Sequence, residues 1–267
     1  MKNDGIFSGH TDAKLAAVLT ALQSAAERTF DEACPIPAAV NHSREFSDHE
    51  RNAVFMQEWI CVGRADEIAT SGDYLTHEIA GVPVLVVRHE DGSVRGFVNA
   101  CAHRFACLMP DEKGTAKRFT CRYHAWTYDL GGQLVRAPFM DMKQDFDASR
   151  HGLRQLHTEI WEGFIYVSLA EKPATSVASA LEPLRENVVG RYDMACYRTV
   201  MRETMVWNAN WKNLIENFTE SYHVPFAHKQ TFAKHNKPLQ DYICGEDSDH
   251  YCYHRAAQQA DTGGGAA

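Results

Sequence analysis

Two short stretches of the chain decide how it folds: Cys101-Ala102-His103 and Cys121-Arg122-Tyr123-His124. Each stretch supplies one thiol and one imidazole, and seventeen residues separate the two. Thiolates and imidazoles are soft or borderline ligands that bind transition metals. We therefore predict a metal centre held between two loops that approach it from opposite sides.

The combination of ligands indicates which metal centre the loops hold. A Rieske [2Fe–2S] cluster places two thiolates on one iron and two imidazoles on the other, which raises its reduction potential. The sequence supplies this set, with Cys101 and Cys121 for one iron and His103 and His124 for the other. Our interpretation is a Rieske cluster.

A structural zinc site is the alternative, because two Cys and two His also form a tetrahedral zinc site. The Cys-x-His spacing of the first loop is shorter than the usual spacing of zinc-binding cysteines, and no helix follows to present a histidine pair. Tyr123 and Trp126 flank the second loop, as expected where aromatic rings shield a cluster, although plain packing explains them equally well. The spacing favours the cluster.

The residues around both loops have the pattern of a small β-rich unit. Apolar runs joined by Gly-containing turns predict hairpins. The predicted strands are Leu85–Arg88 with Val94–Val98, Trp126–Tyr128 with Gln133–Val135, and a single strand Ile160–Leu169. Helical spacing of apolar residues predicts further elements before and after this unit. These are helices at Asp12–Thr29, at Ser47–Trp59 with a capping box at Ser47–Glu50, at Ala174–Val189 and at Asn210–Tyr222, with a strand at Tyr197–Val206.

The fold class that follows is α+β, in three parts. We expect an N-terminal helical segment at residues 1–53, the β-rich [2Fe–2S] domain at 54–170, and a third unit at 171–267. The 267 residues carry a net charge of −8 and no cluster of Lys and Arg with aromatics, which argues against binding nucleic acid or anionic membranes. The apolar runs are too short to span a membrane, and the N-terminus lacks a signal-peptide pattern, which predicts a cytoplasmic location.

A second pair of histidines lies in the third unit. Pro225 stands between His223 and His228 and breaks the helix, so the two rings need not project as an unbroken helix would place them. Two histidines and one carboxylate bind Fe(II) on one face and leave positions open for O₂. Alone, the spacing fits a core or surface role better; downstream of a cluster motif, it predicts a mononuclear iron site.

The stretches Cys101–Arg104, Cys121–Asp129 and Glu216–His228 together resemble the α subunits of Rieske-type non-haem iron oxygenases. This superfamily contains aromatic-ring-hydroxylating dioxygenases and quaternary-amine monooxygenases. The resemblance covers roughly residues 35–235 and implies an incomplete, helix-grip-like α/β catalytic domain at 171–267.

Three positions depart from the usual sequence of the motif. Phe105 stands where a small residue is usual, Arg122 where proline is usual, and Ala125 where glycine is usual. None of the three is a ligand, so we expect ligation to be intact.

The resemblance also implies partners and roles. It implies a mononuclear Fe(II) beside the [2Fe–2S] cluster, and a reductase that passes electrons from NAD(P)H directly or through a ferredoxin. It implies a homotrimer in which Glu220, more often Asp, links the two metal centres of adjacent subunits, because the two centres of one chain lie too far apart. By the same resemblance, Asn217 lies near the iron.

The resembling subunits take their third iron ligand from a carboxylate well over a hundred residues beyond the second histidine, whereas 39 residues follow His228 here. We therefore expect a C-terminally truncated subunit that holds the cluster, binds Fe(II) weakly and turns over no substrate. Asp241, Asp247 and Asp249 are expected to be loop charges.

The segment from Glu220 to His228 looks most like the branch that acts on small quaternary amines such as choline, betaines or carnitine. The function implied is hydroxylation or N-demethylation of such an amine with O₂ and NAD(P)H. The alternatives are an aromatic-ring-hydroxylating dioxygenase and a Rieske electron carrier without oxygenase activity. Such carriers are shorter and lack the Glu-x-x-His-x₄-His segment.

Overall fold

The computed structural model describes residues 13–187, 189–220, 222–231, 242–244, 248 and 250–256. The helices are Ala13–Ala26 (α1), Ala39–His42 (α2), Arg44–Glu50 (α3), Val177–Asn187 (α4), Trp211–Thr219 (α5) and Val224–Ala227 (α6). The strands are Trp59–Arg64 (β1), Asp73–Ile79 (β2), Val82–Arg88 (β3), Val94–Val98 (β4), Lys113–Thr115 (β5), Phe119–Thr120 (β6), Thr127–Tyr128 (β7), Leu134–Arg136 (β8), Gln155–Trp161 (β9), Phe164–Ser168 (β10), Tyr242–Cys244 (β11) and His254–Ala256 (β12). None of the described helices is long and apolar enough to cross a membrane.

The α+β fold class is confirmed, with two antiparallel sheets at its centre. The larger sheet has the order β1-β10-β9-β4-β3-β2-β5, and β6-β7-β8 form the smaller one. The strand β3 is buried on both faces, which explains its continuous apolar sequence. Leu85 and Val87 pack into the core that contains the cluster loops, whereas Val84 and Val86 point into the core on the opposite face.

The predicted hairpins at β3–β4 and β7–β8 are confirmed. The single strand predicted at Ile160–Leu169 is wrong, because β9 and β10 form a hairpin there. Glu162 and Gly163 turn the chain with φ values of 49° and 81°, the positive values that a two-residue hairpin turn requires. The apolar residues on both sides of this turn hid it from sequence reasoning.

The helix predicted at Ser47–Trp59 begins and ends earlier than expected. Ser43 is the N-cap of α3, and its hydroxyl oxygen accepts a hydrogen bond from the Phe46 N–H at 3.2 Å. The predicted capping box at Ser47 is therefore wrong. After α3 a π-helical turn runs to Phe55, and Trp59 already belongs to β1.

The other predicted helices are present with shorter bounds, as α1, α4 and α5. Asp12, predicted to cap the first helix, lies outside the described residues, as do Asp241, Asp247 and Asp249.

The strand predicted at Tyr197–Val206 is wrong: the segment pairs with no other described strand. Side chains of the β-rich unit hold this segment instead of a ladder of backbone hydrogen bonds. The Asp66 carboxylate accepts a hydrogen bond from the Thr199 N–H at 2.7 Å, and Arg202 forms an ion pair with Glu67 at 3.0 Å.

Candidate metal centres

The first cluster loop is closed by two backbone hydrogen bonds around Cys101. The Cys101 N–H donates to the Ala106 carbonyl at 2.9 Å, and the Phe105 N–H donates to the Cys101 carbonyl at 2.8 Å. Phe105 has a φ of 57°, in the left-handed region that favours glycine. A small residue is therefore usual at this position because the backbone is left-handed there, and Phe105 adopts this conformation with strain.

The second cluster loop repeats the same design around Cys121. Its N–H donates to the Trp126 carbonyl at 2.8 Å, and the Ala125 N–H donates to the Cys121 carbonyl at 2.9 Å. Ala125 has a φ of 55°, so it occupies the position equivalent to Phe105 in the first loop. The two loops thus share one backbone frame, although their Cys-to-His spacings differ by one residue.

The four predicted cluster ligands lie in one region, with the two thiols buried and the two imidazoles at the surface. Cys101 and Cys121 are 1% and 3% exposed, inside the hydrophobic core. His103 and His124 lie exposed at the tip of the loops, and their ring centroids are 4.6 Å apart. A cluster with one thiolate-bound iron and one imidazole-bound iron fits this arrangement, with the thiolate-bound iron on the buried side.

The same geometry argues against the zinc alternative. A structural zinc ion needs four ligands around a single point, whereas each iron of a Rieske cluster needs only two from the protein. The residues therefore fit the cluster.

Tyr128 contacts the buried side of this centre. Its hydroxyl oxygen accepts a hydrogen bond from the Ala102 N–H at 3.0 Å, which leaves its proton free to donate to the Cys101 sulfur 3.2 Å away. Burial, followed by the contact with Cys101, raises the pKa of Tyr128 well above its ordinary value, so the hydroxyl keeps its proton.

Aromatic rings pack against the exposed side of the centre. The Trp126 ring stacks on His103 with centroids 4.8 Å apart, and Tyr123 packs on His124 at 3.9 Å. Partial desolvation of the ring lowers the pKa of His103, with further lowering from His124 and the Arg104 guanidinium, and this favours the neutral ring that a metal ligand must be.

Two further residues of this aromatic group were not predicted from the sequence. Phe146 and His151 stack on each other at 5.0 Å, and both contact Trp126 edge-on. They lie twenty or more residues beyond the second loop, outside any strand, so no local pattern points to them.

The second histidine pair lies where α5 ends. The helix stops at Thr219, Glu220 is extended, and α6 begins after His223 with Pro225 in its first turn. The ring centroids of His223 and His228 are 5.4 Å apart at an interplanar angle of 68°. A metal ion lies about 3 Å from the centroid of an imidazole that binds it, so rings up to about 6 Å apart fit one ion.

Glu220 binds the first of these histidines within the same chain. Its carboxylate contacts His223 Nδ1 and accepts hydrogen bonds from the backbone N–H groups of Tyr222 and His223. Burial opposes its ionisation, but these hydrogen bonds outweigh burial and lower the pKa of Glu220. Metal-binding histidines commonly donate their second ring N–H to a carboxylate, so His223 is left to bind a metal through Nε2.

The fold and both sites define an iron protein with a Rieske domain followed by an oxygenase-type catalytic segment. The family profile "Rieske [2Fe-2S] domain" matches residues 58–151, and the profile "Ring hydroxylating alpha subunit (catalytic domain)" matches residues 194–265. The chain belongs to the α subunits of Rieske-type non-haem iron oxygenases, whose cofactors are a [2Fe–2S] cluster and a mononuclear iron.

Relatives of known function and structure agree with this family. The glycine betaine monooxygenase oxygenase subunit of Chromohalobacter salexigens is 37% identical over 204 residues, which are 76% of this chain and 45% of that protein. A crystal structure of the quaternary ammonium Rieske monooxygenase CntA with an inhibitor superposes with a TM-score of 0.74 at 30% identity, over 79% of this chain and 58% of that one. Naphthalene 1,2-dioxygenase from Rhodococcus sp. bound to indole gives the same TM-score at 28% identity, over 85% and 52%. The chain spans about half the length of the relatives it matches.

Proposed function

We propose that this chain is part of the oxygenase component of a Rieske system that oxidises a small quaternary amine with O₂ and NAD(P)H. The observation that carries the proposal is the presence in one chain of two sets of potential metal ligands of different chemistry: two thiols with two imidazoles, and two imidazoles beside a carboxylate. The proposed cluster ligands are Cys101, His103, Cys121 and His124, and the proposed iron ligands are His223 and His228. When bound, the cluster supplies single electrons and the mononuclear iron activates O₂.

Different residues of the chain have different roles at the two proposed metal centres. The buried thiols and the Tyr128 hydroxyl exclude water from one side of the cluster, while His103 and His124 reach the surface, where electrons enter or leave. Glu220 holds His223 at Nδ1, and this would leave Nε2 available to bind the iron.

We propose a homotrimer in which the cluster tip of one subunit faces the iron site of the next. The surface charges support this pairing, because Arg104, Arg118 and Arg122 are exposed around the tip, whereas Glu216 and Glu220 are exposed at the end of α5. A reductase that uses NAD(P)H is the expected electron donor, and the cytoplasm is the expected location.

The choice of substrate rests on sequence similarity. The betaine enzyme is 37% identical to this chain and naphthalene dioxygenase 28%, although the latter superposes as well as CntA does. An aromatic-ring dioxygenase is therefore the second candidate. A pure electron carrier is disfavoured by the histidine pair that flanks α6 and by its carboxylate partner.

The cluster assignment is tested by EPR of the reduced protein. We expect the low-average-g signal of a cluster with two His and two Cys ligands, and its loss in Cys121→Ser. Cys107→Ser is the matched control, because Cys107 lies in the same region but is exposed. Stoichiometric zinc without acid-labile sulfide would overturn the assignment.

The substrate assignment is tested by turnover with a reductase, NADH and excess Fe(II) in an oxygenase subunit of the full length of the relatives. Hydroxylation of an N-methyl carbon consumes one O₂, two electrons and two protons and releases one water. The N-hydroxymethyl product then breaks down to formaldehyde and the demethylated amine. We expect formaldehyde from glycine betaine or carnitine, none from His223→Ala, and no diol from naphthalene. Diol formation without formaldehyde would favour the second candidate.

A further inference from the structure

A buried ion pair joins the N-terminal helices to the helix that leads into the proposed iron site. Of the charged residues that the structure describes, only Glu50, at the end of α3, is buried, with 7% of its surface exposed. Its carboxylate oxygens lie 2.8 and 2.9 Å from Lys212 Nζ in the first turn of α5. The two residues are 162 positions apart in the chain.

Further contacts fix Lys212 from several sides. Its Nζ also donates to Asn210 Oδ1 at 2.8 Å and lies 5.5 Å from the ring of Phe46 and 5.3 Å from the ring of Trp211. We call Phe46, Glu50, Asn210, Trp211 and Lys212 the Lys212 cluster. Phe46 belongs at the same time to the small core of the N-terminal helices, so the cluster connects α5 to a packed unit.

Two contacts beside the cluster strengthen the attachment. The Asn210 side-chain amide donates to the Asn41 carbonyl at 3.2 Å, and Trp211 packs edge-on against Phe55 at 5.2 Å. Farther along α5 the apolar side chains Ile215 and Phe218 are 53% and 73% exposed. Among the described residues, the first turn therefore carries the attachment of this helix.

Because α5 is attached through its first turn, a small movement of that turn displaces the C-terminal end of the helix. With a rise of about 1.5 Å per residue, α5 extends about 10 Å from Lys212 to Thr219, so a tilt of about 5° moves its end by about 1 Å. Glu220 follows directly and holds His223. A displacement of about 1 Å is enough to impair a catalytic site severely.

We propose that Lys212 and Glu50 are positioning residues for the mononuclear iron site: the N-terminal helical segment fixes, through this ion pair, the helix that places Glu220 and His223. The inference rests on the proposed iron site. It assigns to the N-terminal helices a role in the oxygenase centre rather than in the fold of the Rieske domain.

The test measures Fe(II) affinity of the cluster-loaded chain by competition with a chelator. The key variant is the double change Glu50→Gln with Lys212→Met, which leaves no buried charge unpaired and so avoids the main cause of misfolding. We expect its Fe(II) dissociation constant to rise about 10-fold, the lower end of the range for changes that disturb the support of metal ligands. The Co(II) absorption spectrum of the site should change, while cluster content stays at the parent level.

Two further variants separate positioning from general stability. Lys212→Arg keeps the charge and should retain most of the Fe(II) affinity. Lys14→Met breaks the exposed ion pair with Glu45 in the same N-terminal segment and should leave Fe(II) affinity unchanged. Parent-like Fe(II) affinity and an unchanged Co(II) spectrum in the double variant would overturn the inference. If His223→Ala and His228→Ala leave Fe(II) binding unchanged in the parent, the iron site itself is wrong and the inference fails with it.

Discussion

The Tyr128 hydroxyl offers a direct way to change the cluster without touching a ligand. It stands 3.2 Å from the Cys101 sulfur with its proton free to donate, and its ring is fully buried in the core. Reduction adds negative charge to the cluster, and a hydrogen bond to a sulfur stabilises the more negative state. Tyr128→Phe should therefore lower the reduction potential.

The size of the shift follows from the energy of such a hydrogen bond. A neutral hydrogen bond contributes about 1 kcal/mol net and one to a charged group about twice as much, so the gain on reduction is about 1 kcal/mol. For a one-electron couple about 1.4 kcal/mol corresponds to 59 mV, and the expected fall is about 40 mV. The variant also leaves the Ala102 N–H without its acceptor, which should cost about 1 kcal/mol of stability.

The measurement is a redox titration followed by EPR or circular dichroism on samples of equal iron and sulfide content. Tyr123→Phe is the matched control, because it removes a hydroxyl from an exposed ring that packs on the proposed ligand His124. We expect the potential of this control to stay within error of the parent. An unchanged potential in Tyr128→Phe, or an equal shift in the control, would refute the reasoning.

Two further predictions concern the backbone. Phe105→Gly and Ala125→Gly each relieve a left-handed backbone strain of about 1–2 kcal/mol, although glycine also makes the unfolded chain more flexible and this cancels part of the gain. Each variant should therefore raise the Tm of the cluster-loaded protein by about 1–4 °C in thermal unfolding, and a lower Tm would contradict this. Gly132 and Gly92 have φ values of 80° and 82°, but a Cβ on Gly132 would lie 2.5 Å from a ring carbon of Phe97, whereas nothing lies near one on Gly92. Gly132→Ala should therefore destabilise by about 1–3 kcal/mol more than Gly92→Ala in urea unfolding, and equal losses would show that the aromatic ring yields.

A structural feature can be predicted from the sequence when the residues that determine it are close together in the chain. The cluster loops could be predicted because each Cys and His pair lies within four residues and thiols and imidazoles have few common roles at that spacing. The wider support could not, since Phe146 and His151 reach Trp126 from outside any strand or α-helix. Glu50 illustrates the same limit: its local pattern suggested a capping box, but its partner is Lys212, far along the chain.

The backbone of the loops explains why departures from the usual motif are tolerated at two positions. Phe105 and Ala125 occupy equivalent left-handed positions, where any residue with a Cβ is strained. Substitution at these positions leaves the four proposed ligands unchanged. The strain costs about 1–2 kcal/mol per position, a sum that the buried core on both faces of the large sheet can offset. The side chain of Phe105 is 81% exposed, so its own contacts with the described residues add little to that offset.

The depth of the four proposed ligands separates side chains that face the buried thiols from side chains that a partner protein can reach. We expect the potential to be set mainly on the buried thiol side, where Tyr128 contacts Cys101. Exposed side chains that a partner protein can reach, such as Phe105 and Tyr123, surround the imidazole side. A substitution on the buried side should therefore change the driving force for electron transfer and leave partner affinity unaltered. A substitution of the exposed rings should do the reverse, so measuring potential and partner affinity for both kinds of variant tests the separation directly.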